Sequence, residues 1–217
     1  MIFIKKGSEP KSLIEYRANK SNLADITYNN FQEKDDIRKA LLDEQGHICA
    51  YCMQRITIEN MKIEHFACQS ENESLRLDYK NMLGCCKGGD GKGIKPEYHH
   101  CDTKKQDEII KFNPSCPNDR NFLKISYDRN GVISSDDAEF NGQLNSVLNL
   151  NLPMLKNNRK GALEQIQKDL SKLGKTATKS ECEKIKRKYL HRNDNNELMP
   201  YCGVPISYLE KRLSKLS

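Results

Sequence analysis

Cys49-Ala50-Tyr51-Cys52 is the stretch that most restricts what this chain can become. Two thiols separated by two residues form a turn that presents both sulfurs to one metal ion, and further thiols follow at Cys85, Cys86 and Cys101. If Cys49, Cys52, Cys86 and Cys101 share one tetrahedral Zn²⁺, with Zn–S of about 2.3 Å, two remote segments are clamped together. Between the thiol pairs lie Lys62-Ile63-Glu64-His65-Phe66 and Asn81, and the last thiol opens Cys101-Asp102-Thr103-Lys104-Lys105. A carboxylate beside an imidazole is common. Bracketed by thiols, and followed in order by an asparagine and a second carboxylate, it points to a reaction centre.

Each of these side chains has chemistry suited to such a centre. Glu64 and Asp102 offer hard oxygen ligands to Mg²⁺ or a similar divalent ion, which keeps several of its waters. His65 stays free of the metal. A neutral imidazole with a pKa of roughly 6.5 can take a proton from an attacking water once its ring and tautomer are fixed. Asn81 can fix them through its side-chain carbonyl or through the backbone order it imposes. The metal would polarise a scissile phosphate, and Lys105 would supply a cation to the phosphate backbone.

In this order of residues the chain resembles the HNH (ββα-metal) endonucleases. Glu64-His65 stands at their acidic/His pair, Asn81 at the central Asn, and Cys101-Asp102-Thr103-Lys104-Lys105 at the closing Cys-His/Asn-x-x-Lys element. The likeness extends to the PtuB-type HNH subunits of the Septu and some retron anti-phage systems. It is carried by Gly7-Ser8-Glu9-Pro10-Lys11-Ser12-Leu13, Gln45-Gly46-His47-Ile48-Cys49-Ala50-Tyr51-Cys52, Ile63-Glu64-His65, Asp78-Tyr79-Lys80-Asn81-Met82-Leu83-Gly84, His100-Cys101-Asp102-Thr103 and Asn113-Pro114.

The resemblance implies metal-dependent hydrolysis of nucleic-acid phosphodiester bonds, with His65 as base, Glu64 and Asp102 on the catalytic ion, Asn81 orienting and Lys105 on phosphate. It also implies a structural Zn²⁺ and an ABC/SMC-like ATPase partner of the PtuA type, joined in a retron by a reverse transcriptase and its msDNA. DNA and structured RNA both remain open as substrate. The pattern departs from the family at the insert Lys87-Gly88-Gly89-Asp90-Gly91-Lys92-Gly93, where a simple zinc ribbon has two residues between its thiols. Cys86 fits better than Cys85 because it falls five residues after Asn81, as in the family pattern; Cys85, His99 and His100 are the other residues open to that shell. The alternative is a zinc-ribbon module that binds nucleic acid or docks the ATPase without catalysis.

The expected architecture is α+β: a zinc-supported ββα-metal module with a mainly α-helical C-terminal lobe. Residues 1–30 read as an extended lead-in broken by Gly7, Pro10 and Asn19-Lys20-Ser21-Asn22, with a short helix over Leu13-Ile14-Glu15-Tyr16-Arg17. Residues 31–115 read as the nuclease module, and 116–217 as a β-hairpin plus helical lobe. In the module, Asn30 and Glu33 cap a helix ending at Gly46, and two short strands occupy 48–66, one at Ile56-Thr57-Ile58 and one at Met61-Ile63. An irregular span over 67–100 and a helix from Cys101 to about Phe112 complete it. In the lobe, Asn130-Gly131 suits a type I′ turn and Asp136 with Glu139 a helix start. Pro153 reads as a break, Ser180 with Glu183 as a capping box, and Ile206, Leu209, Leu213 and Leu216 as the stripe of a last helix.

With 30% charged residues among 217, the apolar core is modest, and a structural metal would help a small module fold. No apolar run approaches the roughly 20 residues that cross a bilayer, and the first residues are too short for a secretory leader. Nine cysteines, odd in number and clustered, then suit metal binding and free thiols in a reducing cytoplasm; Cys68, Cys116, Cys182 and Cys202 read as small buried or half-buried thiols. The net charge of +6 suits a polyanion partner without requiring one. Its excess lies between Lys156 and Arg192, where 12 Lys/Arg face 4 Asp/Glu and could contact phosphates.

Overall fold

The structure, a computed structural model, describes residues 1–19, 26–120, 124–174 and 177–216. Most of the expected Asn19-Lys20-Ser21-Asn22 break therefore lies outside the described residues. Within the lead-in, α1 (Lys11–Ala18) forms where a short helix is expected, and it buries Leu13.

In α2 (Lys34–Gln45) the buried residues Ile37, Leu41 and Leu42 recur at helical spacing. Gly46 ends the helix in the left-handed conformation at φ 62°, where a Cβ would strike the Leu198 side chain. The Asn30–Glu33 cap does not form: Glu33 is itself the N-cap and makes no side-chain cap bond. Directly after α2 the thiol turn closes, Cys49 N–H donating to Gln54 O at 2.9 Å and Met53 N–H to Cys49 O at 3.0 Å.

Strand β1 (Met61–His65) pairs antiparallel with β2 (Met82–Cys86), Met61 opposite Cys86 and His65 opposite Met82. This corrects the expectation of two strands within 48–66. Ile56-Thr57-Ile58 leads only into a 3-10 turn (Ile58–Asn60), and its neighbourhood contributes one isolated bridge, Ile48 to Arg55. The second strand comes instead from the span read as irregular. Gln45 completes that strand's hydrogen bonding from the other side. Its buried side chain donates to Ile48 O at 2.9 Å and Gly84 O at 2.8 Å, and accepts from Gly84 N–H at 2.7 Å. The following helix, α3 (Cys101–Lys105), is five residues long and stops at Gln106, φ 50°, well short of Phe112.

The lobe opens with β3 (Ile125–Tyr127) and β4 (Ile133–Ser135), joined by a turn built on Asp128. Asp128 Oδ1 accepts from Asn130 N–H and Val132 N–H, both at 2.8 Å, and of the Asn130-Gly131 pair only Gly131 takes a positive φ. A type I′ turn needs positive φ at both central residues, so it is not formed. Helix α4 (Ala138–Ser146) is capped by Asp137, one residue beyond Asp136, through Phe140 N–H at 2.9 Å.

Pro153 begins α5 (Pro153–Ser171) rather than breaking it, its fixed φ suiting the first helical position. The capping box of α6 (Lys179–Leu190) is Thr178 with Glu181, not Ser180 with Glu183. Helix α7 (Gly203–Leu213) packs on α5, α6 and β3. Arg159 is 1% exposed and donates to Gly131 O at 2.6 Å and Leu150 O at 2.7 Å, tying α5 to the hairpin turn and to the segment before it. The lobe meets the end of α2 and the thiol turn: Leu198 N–H donates to Gly46 O at 2.9 Å, and Arg55 to Leu198 O at 2.6 Å. Among the described residues no helix is long and apolar enough to cross a membrane.

Gln45→Met should destabilise the protein by about 2–4 kcal/mol in urea unfolding, because three buried hydrogen bonds are lost and Gly84 N–H is left bare. A loss well under about 1 kcal/mol would show that β2 does not depend on this side chain.

Candidate active site and metal centre

The sulfurs of Cys49, Cys52, Cys86 and Cys101 lie within 4.8 Å of one another and are buried. Cys49 Sγ is 3.8 Å from Cys101 Sγ, and Cys52 Sγ is 3.8 Å from Cys86 Sγ. A tetrahedron with Zn–S arms of about 2.3 Å has edges of about 3.8 Å, so the spacing fits zinc, whereas a disulfide needs about 2.05 Å. The protein by itself favours few negative charges here. Burial opposes ionisation at Cys49, yet the thiols of Cys101, Cys52, Cys85 and Cys86 around it hold its pKa well below the usual range. Burial pushes Cys52 and Cys101 well up. A divalent cation would let all four ionise.

The insert between Cys86 and Cys101 loops out and returns: His100 N–H donates to Gly88 O at 2.9 Å, immediately before Cys101. Cys85 stands opposite Lys62, on the strand face that carries Glu64, while Cys86 turns to the other face. Neither Cys85, His99 nor His100 belongs to the group of four.

Tyr51, between the paired thiols, donates its hydroxyl to Glu64 Oε1 at 3.1 Å. The same oxygen lies 3.0 Å from Lys105 Nζ, and neither side chain of that pair has appreciable exposure. Asp102, at the start of α3, completes the cluster. Burial raises the Glu64 carboxyl well above its usual range, a hydrogen bond with Asp102 and that group's charge raise it further, and Lys105 opposes the shift. Two carboxyls so close suit a hard divalent ion that draws its remaining ligands from water or substrate. Lys105, expected on a substrate phosphate, is fully buried and faces Glu64.

His65 ends β1. Its Nε2 lies 2.9 Å from the Arg76 carbonyl, and its ring meets Tyr28 edge-on at 4.5 Å. A carbonyl only accepts, so Nε2 carries the proton and Nδ1 holds the lone pair. Burial lowers the His65 pKa, the Arg76 bond and Asp102 raise it, and Lys105 lowers it; the net is below 6.5, which keeps the ring neutral at pH 7. Asn81 does not touch the imidazole in the described contacts. Its side chain accepts from Ala67 N–H at 2.8 Å and donates to Ala67 O at 3.0 Å and Leu75 O at 3.2 Å. It thus closes the loop whose Arg76 carbonyl lies against the ring.

No protein-family model matches the chain. A Vibrio cholerae serotype O1 biovar El Tor protein described as "Retron Vc95 putative HNH endonuclease" is 24% identical over 169 residues, 73% of this chain and 79% of that protein. The Septu protein PtuB of Bacillus thuringiensis is 30% identical over 127 residues, 58% of this chain and 46% of that protein. The chain resembles the PtuB-type HNH proteins. It spans under half the length of the Septu PtuB it matches.

Three residues of this centre stand in the sequence motifs without a role read for them. Tyr51 was visible only as a spacer between thiols, and Gln45 as a helix end. Lys62 had a signal, since two residues before Glu64 on a strand is the same face. The purified chain should carry one equivalent of zinc by elemental analysis. Cys101→Ser should lose it, while Cys85→Ser and Cys116→Ser keep it; retention by Cys101→Ser would remove that thiol from the ligand set.

Proposed function

We propose that the chain is a metal-dependent HNH endonuclease that hydrolyses phosphodiester bonds of nucleic acid. It acts as the effector subunit of a bacterial anti-phage system together with an ABC/SMC-like ATPase. The observation that carries this reading is the pairing of Glu64 with Asp102, next along β1 to an imidazole whose Nε2 is committed to a backbone carbonyl. β1, β2 and α3 follow one another as the strand, strand and helix of a ββα-metal unit. Four thiols pin its ends, and zinc is their ion.

Glu64 and Asp102 would hold Mg²⁺ or a similar divalent ion, which would supply positive charge for the oxygens that gain negative charge in the reaction. His65 Nδ1 accepts a proton from water as its oxygen attacks phosphorus; the P–O bond to the leaving group breaks, and that oxygen is protonated from solvent. The imidazolium returns its proton to water. Asn81 keeps the ring aimed by closing the loop over Ala67 and Leu75. The ATPase partner, and in a retron the reverse transcriptase with its msDNA, follow from likeness to proteins named for Septu and a retron. Co-purification with the products of neighbouring reading frames tests that association.

One observation favours the other reading, an adaptor without catalysis: Lys105 already neutralises Glu64 without any ion. A nicking assay with Mg²⁺ or Mn²⁺ separates the two. His65→Ala should lower cleavage by about 10²–10⁴-fold without loss of zinc. Asn81→Ala should lower it by less, with faster amide exchange in 67–76 as the sign that the loop has opened. Equal cleavage by His65→Ala and the parent would remove the imidazole from the mechanism.

A further inference from the structure

Among the described residues, Lys62 is a partly exposed cation beside the acidic pair. It precedes Glu64 by two residues in β1, so both side chains leave the same face of the strand. Its ammonium lies 2.8 Å from the Asp90 carboxylate, 2.9 Å from Thr103 Oγ1 and 3.9 Å from the Asp102 carboxylate. The Lys62 side chain is 32% exposed, whereas that of Lys105 is 0% exposed. Lys62 is therefore placed at the mouth of the site, and Lys105 at its floor.

Asp90 reaches Lys62 from the glycine-rich insert. Gly88 and Gly89 before it take positive φ, and a Cβ at Gly88 would lie 2.0 Å from His100 O, so the tight path of the insert requires glycine there. Thr103 ties the two ends together, donating to Lys87 O at 2.8 Å while accepting from Lys62. The Asp90 side chain is 57% exposed. An ion pair this open is weak, so another anion at the mouth can displace it. A carboxylate and a phosphodiester present the same two features to an ammonium, a negative charge and acceptor oxygens.

Resting on the nuclease reading, we infer that Lys62 contacts the nucleic-acid phosphate next to the scissile bond, and that Asp90 occupies that phosphate's place until the substrate arrives. The insert, the point where the chain departs from the simple zinc ribbon, is then a built-in competitor for the substrate backbone. Thr103 holds the ammonium in place during the exchange.

The full chain carrying His65→Ala is titrated with labelled duplex DNA, single-stranded DNA and an RNA hairpin over a series of KCl concentrations, read by fluorescence anisotropy. Lys62→Gln should weaken binding ~3–10-fold and reduce the slope of log K against log salt by about 0.9 on a duplex or about 0.7 on a single strand. Lys62→Arg should restore both. Asp90→Asn should tighten binding ~2–5-fold, because the competitor loses its charge. The opposite signs matter: if the Lys62–Asp90 contact only staples the insert, both substitutions move binding in the same direction, and the inference is overturned. A parental salt slope in Lys62→Gln overturns it too. If the protein with His65 intact binds but cuts no probe in Mn²⁺, the nuclease reading falls while the binding arms still decide Lys62. If no probe binds, both fall.

Discussion

Four sulfurs at the edge lengths of a zinc tetrahedron are the constraint to which the rest of the molecule is fitted. They come from three places: the turn after α2, the end of β2 and the first residue of α3. Pinning Cys86 sets where β2 ends opposite Met61, and hence which residues oppose Glu64 and His65. Pinning Cys101 sets where α3 begins, so that Asp102 and, one turn later, Lys105 arrive at Glu64. A chain with 30% charged residues has limited apolar surface with which to hold such short elements together. Strands of five residues and a helix of five are too short to persist alone, and a metal on the four thiols would supply what the core does not.

The acidic centre is a balance struck inside that frame. A buried carboxylate costs several kcal/mol unless it is paired and hydrogen-bonded. Glu64 has a phenol and an ammonium on one oxygen, and the neighbouring Asp102 disfavours its ionisation. Lys105 faces Glu64 directly, whereas Lys62, 3.9 Å from Asp102, is shared with Asp90. Burial lowers the pKa of His65, the next residue of β1 after Glu64, and its backbone partner settles which nitrogen is bare.

Much of this was legible in the residues, though unevenly. The thiol spacing, Glu64-His65 and the later Asp102 could be read because their chemistry depends on residue type and order. The second strand could not, because Met82-Leu83-Gly84-Cys85-Cys86 is a fully buried run with glycine at its centre. It has no alternation to see, and its extended form rests on β1 and on Gln45. Helix existence was readable from apolar stripes, but starts slipped by one to three residues where several polar residues compete to cap, as at Asn30/Glu33, Asp136/Asp137 and Thr178/Ser180. The phosphate role expected of Lys105 comes from its place in the motif; only the fold reveals that it is buried against Glu64.

Tyr51 joins the two halves of the centre. It sits between the first two thiols, and its hydroxyl rests on the carboxylate that faces Asp102. Any oxidant that converted Cys49 or Cys52 to a disulfide or sulfenic acid would dismantle the turn that aims this phenol. Damage to the sulfurs would therefore reach Glu64 through a single side chain, and the molecule would lose its scaffold and its acidic pocket in one event.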